Sequence, residues 1–344
     1  MKVHLASAAV PPQDHFYKEQ LTELAAIASE KKHTLVDDPE SADAILVTGM
    51  DVSRENAALR NFPLVHQYPN KVFVYSEHAV PLWLVPGVYT NTARSIFSFR
   101  RTRASSYASR HTFLKNSAIE KFDPNRKPDL LFSFLGGSTS FVRKRLLNQN
   151  FNRPDIIIEN TSAYHHWNLK QPNREEQQRH YVEISMRSKF ALCPRGVGTG
   201  IIRLFEMMEM GIVPVVMSDG WVPPRGPNWD ECAIFVRERD VARLPEILEA
   251  YEPRREMMEK ATRAAWESYF APDKQFNSII DAIAELQSER IFDERLIRLF
   301  WPFIVARRRG YEWCRKHGRT FILRMFSLLK LRFPYALNRP PNPL

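Results

Sequence analysis

Cysteine and glycine are both scarce in this sequence of 344 residues. The three cysteines, Cys193, Cys232 and Cys314, have neither the even count of a disulfide framework nor the paired spacing of a zinc site. Their scarcity favours a reducing compartment. The 12 glycines stand against 24 prolines, so we expect many of the connecting segments to be stiff.

Long apolar runs are also missing. No segment has the roughly 20 unbroken apolar residues that a membrane-spanning helix needs. The apolar stretch at the N-terminus stops at Pro11, which is short for a signal sequence, and Lys2–Ser7 is better explained as a first buried strand. We therefore expect a cytoplasmic protein.

Acidic residues are nearly absent from the end of the chain. Residues 295–339 hold 12 Lys or Arg and one acid, Glu312, so the net charge of this segment is +11. The net charge of the whole chain is +10. The remaining residues are close to neutral. Residues 291–344 also contain many aromatic and aliphatic side chains, a composition that suits adsorption to an anionic membrane surface. The alternative is a last helix that packs on the body of the protein. Binding of nucleic acid is not expected, since no nucleic-acid motif is present.

Short apolar runs alternate with helical patterns along most of the chain, which predicts an α/β fold with parallel sheets. The predicted strands are Lys2–Ser7, Asp43–Thr48, Lys71–Ser76, Asp129–Leu135, Asp155–Glu159, Phe190–Cys193, Ile212–Ser218 and Ala233–Val236. Residues 90–128 have little periodicity and end in a proline-rich turn. We therefore predict one domain over residues 1–128, a second over 129–290 and a basic helical tail over 291–344.

The stretch from Cys193 to Asp219 carries the main chemical signal. A predicted strand is followed by Arg195-Gly196-Val197-Gly198-Thr199-Gly200 and then by a helix over Ile201–Met210. Backbone N–H groups and the positive end of the helix dipole would meet there and could bind a phosphate. The spacing matches neither the dinucleotide fingerprint nor a P-loop, so an ordinary loop is the alternative.

Two charged residues one turn inside that helix strengthen the case. Arg203 and Glu206 share a helix face, where the cation could meet a phosphate and the carboxylate a ribose hydroxyl. The alternative is a plain surface pair. No Asp-x-Asp motif, a pattern that often carries a metal ion under a bound phosphate, occurs in the chain, so we expect no metal and no other cofactor. We assign Tyr164, His165 and His166 to a loop or cleft edge rather than to a metal site.

Residues Ser188–Pro224, with Trp229-Asp230-Glu231 and the helix Val241–Leu248 after them, resemble the core of the exostosin-like glycosyltransferases. These are relatives of heparan-sulfate polymerases and plant wall-polysaccharide transferases. Upstream, Phe134–Ser138 with Val142-Arg143 is similar to the start of that family's nucleotide-binding half. The resemblance implies a GT-B fold, in which two Rossmann-like domains face each other across a cleft, and a transfer with inversion that needs no metal.

The resemblance also assigns roles. It implies a UDP- or GDP-sugar donor and a glycan or lipid-linked acceptor, as in bacterial-type surface polysaccharide synthesis. A non-catalytic, membrane-adsorbed subunit of a glycan polymerase is the alternative. Arg143 and Arg195 would neutralise the diphosphate, Arg203 would support it and Glu206 would hold the ribose. The full set of expected donor-binding residues is Gly136, Gly137, Ser138, Arg143, Arg195, Gly196, Gly198, Thr199, Arg203, Glu206, Ser218 and Asp219.

An inverting transfer also needs a general base for the acceptor hydroxyl. Glu77 directly follows the predicted strand Lys71–Ser76, and His78 is its neighbour. The carboxyl end of a parallel strand is where functional groups of α/β proteins gather. We therefore predict Glu77 as the base, with His78 as the alternative.

Overall fold

The computed structural model describes residues 1–8, 16–48, 56–79, 84–94, 98–112, 114–119, 123, 125–165 and 168–306. The chain divides into a large unit, Met1–Ile291, and a second unit, Phe292–Leu344. Of the second unit, the structure describes residues 292–306. In the described part of the chain, no helix is both long and apolar enough to cross a bilayer.

The first sheet of the large unit has six parallel strands in the order β2-β1-β3-β4-β5-β6, counted over the described residues. Its strands are β1 (Lys2–Ser7), β2 (Thr34–Leu35), β3 (Ala44–Thr48), β4 (Val72–Ser76), β5 (Gly87–Tyr89) and β6 (Thr102–Ala104). β3 and β4 are buried along their whole length. A strand that is covered on both faces needs apolar side chains along its whole length. This is why the apolar runs in the sequence predicted these two strands.

The second sheet, again counted over the described residues, has five parallel strands in the order β11-β10-β9-β7-β8. These strands are β7 (Leu130–Gly136), β8 (Ile156–Asn160), β9 (Ser188–Pro194), β10 (Val213–Met217) and β11 (Ile234–Phe235). All eight strands predicted from the sequence are present in the two sheets. This architecture confirms the predicted GT-B fold class.

Helices cover the faces of both sheets. They are α1 (Phe16–Ile27), α2 (Asn56–Asn61), α3 (Pro63–Gln67), α4 (Phe141–Leu147), α5 (Arg174–Met186), α6 (Ile202–Glu209), α7 (Trp229–Cys232), α8 (Leu244–Glu249), α9 (Arg255–Tyr269) and α10 (Pro272–Ser288) in the large unit, and α11 (Glu294–Arg298) in the second. Gly211 follows Met210, the C-cap of α6, and its φ of 68° is the left-handed conformation expected just after a helix C-terminus.

α10 packs on the first sheet, although it follows the second sheet in sequence. Its Phe276, Ile280 and Ile283 share an apolar core with Val3 and Leu5 of β1. The sequence grouped this helix with the second sheet inside 129–290, and the packing places it with the first instead. A helical apolar stripe shows that a helix is buried without showing which sheet covers it. The division near residue 128 stays a prediction.

The segment before residue 128 contains structure that the sequence pattern missed. β6 and a 3-10 turn over Ala108–His111 lie in it, and many of its polar residues are buried rather than exposed. Arg103 pairs with Glu285 at 3.0 Å and with Glu289 at 2.7 Å, both near the end of α10. Hydrogen bonds to distant residues satisfy these polar groups, so no apolar periodicity is needed to bury them.

Candidate active site

The carboxyl ends of the two sheets face one cavity of about 1000 Å³ in the large unit. Segments that follow β4, β5 and β6 line it from the first sheet, and segments that follow β7, β8 and β9 line it from the second. Clefts at the carboxyl ends of parallel strands are where open α/β sheets bind ligands. The volume is large enough for a small-molecule substrate.

Two arginines from the second sheet side line this cavity. Arg143, on α4, donates hydrogen bonds to the carbonyl oxygens of Pro194 and Arg195 at 3.1–3.2 Å. Arg203, on α6, donates to the carbonyls of Leu135 and Leu192. Their guanidinium carbons lie 5.7 Å and 4.7 Å from the centroid of the same ring, Phe134. The two cations are therefore held side by side at the ends of β7 and β9.

Neither guanidinium forms a salt bridge with a described carboxylate; their hydrogen-bond acceptors are neutral backbone oxygens. Burial, and then the neighbouring charge of Arg203, lowers the pKa of Arg143 to about 10. Arg143 is therefore still a cation at neutral pH. Two adjacent positive charges without a partner carboxylate favour a ligand that carries at least two negative charges.

Glu206 lies on the same face of α6 as Arg203 and lines the same cavity. Its Oε2 accepts a hydrogen bond of 2.7 Å from the Tyr181 hydroxyl of α5. Burial, and then the charge of Glu206, raises the pKa of Tyr181 well above its usual value, so this phenol stays protonated and donates. The carboxylate is thus oriented by Tyr181, and no residue in the described part of the chain donates to its second oxygen.

Arg195 is placed differently from the prediction. Its guanidinium makes a two-point pair with Glu238, with Nε–Oε1 at 2.6 Å and Nη2–Oε2 at 3.2 Å, and it does not line the cavity. The prediction that its side chain neutralises a diphosphate is therefore corrected. The carbonyl oxygen of Arg195 still contributes, because it accepts from Arg143 and from the Ser140 hydroxyl. Sequence spacing could not show which way this side chain points.

Three further predicted donor residues, one in the loop after β9 and two after β10, do not line the cavity. The Ser218 hydroxyl donates to the carbonyl of Thr199 at 3.0 Å, and Asp219 Oδ1 accepts from the backbone N–H of Glu238 at 3.0 Å. None of Thr199, Ser218 and Asp219 lines the cavity. These residues hold the loop after β9 in place and are corrected from donor contacts to supports.

Glycines in this loop let its backbone lie close to the segments that follow β4 and β5 of the first sheet. A Cβ at Gly198 would lie 2.1 Å from Asn91 Oδ1 and 2.5 Å from the carbonyl oxygen of Ala79. The backbone N–H of Gly200 donates to Asn91 Oδ1 at 2.8 Å, so this amide is already occupied. The loop therefore has fewer backbone N–H groups available to bind a phosphate than the sequence predicted. Gly196 is the open position, with its nearest neighbours 3.6 Å and 3.8 Å from such a Cβ.

Gly198→Ala should consequently destabilise the large unit, by about 1–3 kcal/mol, because the added methyl group overlaps a backbone oxygen that cannot move cheaply. Thermal unfolding measures this. Gly196→Ala is the matched control, since the same methyl group fits there with ordinary contacts. Equal melting temperatures for the two variants would contradict the close packing of Gly198 against the first sheet.

The remaining predicted donor residues lie at the end of β7. Gly136, Gly137 and Ser138 all line the cavity. A Cβ at Gly136 would approach the Phe134 ring to 2.5 Å and Arg203 Nη2 to 3.2 Å, so this glycine lets the guanidinium lie against the strand. Tyr164 and His165 also line the cavity, in the cleft-edge position that the sequence indicated. His166 lies outside the described residues.

Glu77 and His78 both line the cavity from the first sheet. Glu77 Oε1 accepts from the Tyr75 hydroxyl at 2.7 Å and from the backbone N–H of Ser109 at 3.0 Å, and Oε2 accepts from the Ser109 hydroxyl. Burial raises the pKa of Glu77 above its usual 4.5 although these hydrogen bonds act against the rise. The carboxylate is fixed in orientation opposite the arginines.

Several cavity residues had no signal in the sequence. Asn91 and Tyr107 follow β5 and β6, and Tyr181 and Gln178 lie on α5. Asn91 and Tyr107 could have been found only if three-residue strands had been recognised, since both follow the carboxyl ends of such strands. Tyr181 reaches Glu206 across 25 residues of sequence, a contact that helix packing creates.

Comparison with known proteins places this site in a family. Residues 95–251 match the Exostosin GT47 domain. The chain carries an exostosin domain. That domain includes Arg143, Arg203 and Glu206, whereas Glu77 and His78 precede it. The resemblance that the sequence analysis drew from Ser188–Pro224 is confirmed.

Two curated relatives show how far the exostosin likeness extends. An Exostosin-1 homolog of Caenorhabditis elegans is 30% identical over 158 residues, which cover 43% of this chain and 41% of that protein. Exostosin-1 of Bos taurus is 26% identical over 236 residues, which cover 65% of this chain and 29% of that protein. The chain thus spans less than half the length of these relatives. Among solved structures, an α1,3-fucosyltransferase matches 86% of this chain and 91% of its own at 14% identity and a TM-score of 0.39.

Proposed function

We propose that the cavity binds a nucleotide-diphosphate sugar, a UDP- or GDP-sugar, and transfers its sugar with inversion to a glycan or lipid-linked acceptor. The observation that carries the proposal is the pair Arg143 and Arg203, two half-buried cations that line the cavity without a carboxylate partner among the described residues. A nucleotide diphosphate supplies the charge that this pair lacks. The exostosin domain supports the reaction class.

The leaving group is the first problem of this chemistry. Cleavage of the bond between the anomeric carbon and the diphosphate leaves a new negative charge on a phosphate oxygen. The fixed guanidinium groups of Arg143 and Arg203 would stabilise that charge. The start of α6 adds to it, because the apolar N-cap Ile201 offers no side-chain acceptor to the first-turn amides. We propose on this basis that transfer needs no metal ion.

The nucleoside is assigned to Glu206. Its carboxylate, oriented by Tyr181, would accept hydrogen bonds from ribose hydroxyls on the next part of the donor. Arg203 and Glu206 then contact successive parts of one ligand from one face of α6. The alternative of a plain surface pair is disfavoured because Glu206 is buried and both residues line the cavity.

The acceptor step is assigned to the first sheet. The acceptor hydroxyl oxygen attacks the anomeric carbon while the bond to the diphosphate breaks, and the hydroxyl proton passes to Glu77. Burial favours protonated Glu77, which strengthens this carboxylate as a base. His78, the alternative base, lines the same cavity. Attack from the side opposite the diphosphate produces the inversion.

A cytoplasmic location and a role in bacterial-type surface polysaccharide synthesis stay predictions. The two relatives named above are animal proteins, so they add no support to the bacterial role. The tail beyond residue 306, where most of the predicted membrane-adsorbing charge lies, is outside the described residues.

Thermal unfolding in the presence of nucleotides tests the proposal directly. UDP or GDP, with the matching sugar donor, should raise the melting temperature, because binding to the folded state stabilises it by about 2.7 kcal/mol at a hundredfold excess over the Kd. AMP at the same concentration is the control for unspecific anion binding. Sugar transfer or slow donor hydrolysis should accompany the shift. A shift without turnover would favour the non-catalytic subunit, and no shift with either nucleotide would overturn donor binding.

A further inference from the structure

The second unit presents an apolar surface that the proposed transfer does not use. In its described residues 292–306, five large apolar side chains are 57–73% exposed. We name them the tail ridge: Phe292, Leu296, Leu299, Phe300 and Phe303. Phe292 lies just before a helical segment. The other four are spaced so that they lie on one side of that segment. That segment consists of α11, a turn at residues 299–300 and a helical stretch at 301–306.

The tail ridge is a second apolar face and not the buried one. Trp301 and Val305 of the same segment are 4% and 6% exposed, so the segment already buries apolar residues on its other side. Scattered single apolar residues on a surface need no explanation, but five neighbouring ones of this size indicate an interaction surface.

The net charge of the surrounding sequence indicates which kind of partner the tail ridge could bind. The tail ridge begins the most basic part of the chain, since residues 295–339 hold 12 Lys or Arg and one acid. A second copy of this chain would bring the same positive charge against it and be repelled. A nucleic acid would meet the basic residues but leave the phenylalanines and leucines in water. An anionic bilayer surface has negative headgroups for the arginines and an acyl layer for the ridge.

We propose that the second unit adsorbs to anionic lipid bilayers, with the tail ridge inserted at the boundary between headgroups and acyl chains. Arg295, which is exposed in the same helical segment, contacts the headgroups. Adsorption of this kind needs no spanning helix. The inference does not depend on the proposed transfer.

Vesicle co-sedimentation of the full chain tests this proposal. The chain should bind vesicles of phosphatidylcholine with about 30% phosphatidylglycerol and bind pure phosphatidylcholine vesicles far more weakly, and added salt should weaken the binding. The double variant Phe300→Glu and Phe303→Glu should lower the apparent partition coefficient at least about tenfold, since two exposed apolar contacts are lost.

The matched control is the double variant Ile27→Glu and Met257→Glu. It introduces the same two charges at residues that are 54% and 59% exposed on the large unit, so it separates insertion of the ridge from the change in net charge. The control should bind vesicles within about threefold of the unchanged chain, because neither residue belongs to the tail ridge and the charges of exposed side chains are screened by salt. Melting temperatures of both variants verify that they fold.

Equal vesicle binding by the two double variants would overturn the role of the tail ridge. Binding to pure phosphatidylcholine as strong as to anionic vesicles would overturn the role of charge. A DNA duplex bound more tightly than anionic vesicles, with no effect of Phe300→Glu and Phe303→Glu, would assign the basic charge to nucleic acid instead. None of these measurements uses sugar transfer, so this proposal and the proposed function fail separately.

Discussion

Arg203→Ala should weaken the binding of UDP or GDP by about a hundredfold or more, which corresponds to about 3 kcal/mol. The guanidinium lies in the cavity, its described hydrogen-bond acceptors are backbone carbonyls, and no described carboxylate pairs with it. Its removal leaves a buried diphosphate with one cation instead of two. Isothermal titration calorimetry of the nucleotide measures the loss.

The matched control for this loss is Arg195→Ala in the loop that precedes α6. Arg195 pairs with Glu238 and does not line the cavity, so this variant should keep the nucleotide Kd within about threefold. Arg203→Lys is a second control for a folding defect in Arg203→Ala. It keeps the positive charge but loses the planar guanidinium group that can donate two hydrogen bonds side by side. It should fall between the wild type and Arg203→Ala. A larger loss in Arg195→Ala than in Arg203→Ala would refute the assignment of the phosphate site.

Glu77→Gln should lower kcat by about 10²–10⁴ while the affinity for the donor nucleotide stays unchanged. The substitution keeps the size of the side chain and removes its ability to take the acceptor proton. Steady-state kinetics with separate donor titration distinguishes the two effects. Loss of donor affinity together with kcat would show that Glu77 acts on the site as a whole and not as the base.

The pH dependence gives a second readout for Glu77. A base must be ionised, and burial raises the pKa of this carboxyl above 4.5, so kcat should fall as the pH drops through that raised value. Glu77→Asp should retain part of the activity and the same acidic limb. His78→Asn is the matched comparison at the neighbouring position. If His78→Asn loses more activity than Glu77→Gln, His78 is the base.

Stability must be measured for each Glu77 variant, since this carboxylate accepts three hydrogen bonds from Tyr75 and Ser109. An amide in its place can accept through its oxygen only, so at least one of these hydrogen bonds is lost or must reverse its direction. A moderate drop in melting temperature is therefore expected for Glu77→Gln, and it is separable from kcat when both are measured at a temperature where the variant is folded.

Most strands and the helix that carries Arg203 were predictable because their signal is local. A strand such as β4 must be apolar along its length to be buried on both faces, and α6 must repeat its apolar residues with the helix period. The exostosin resemblance was readable for the same reason, since it rests on one continuous stretch around the loop and α6. The side of the cavity formed by the first sheet was harder to predict from the sequence. Glu77 was predicted only because it directly follows a strand.

The amino-acid sequence by itself determined the α/β class, the parallel strands, the place of Arg203 and Glu206 on α6 and the basic charge of the tail. Tertiary structure alone decided that α10 covers the first sheet, that Arg195 turns to Glu238, that Gly198 meets Asn91, and that Tyr181 holds Glu206. The physical reason is the range of the interactions. Periodicity and motifs report forces between near neighbours in sequence, whereas ion pairs, close backbone contacts and side-chain orientation depend on partners that only the folded chain brings together.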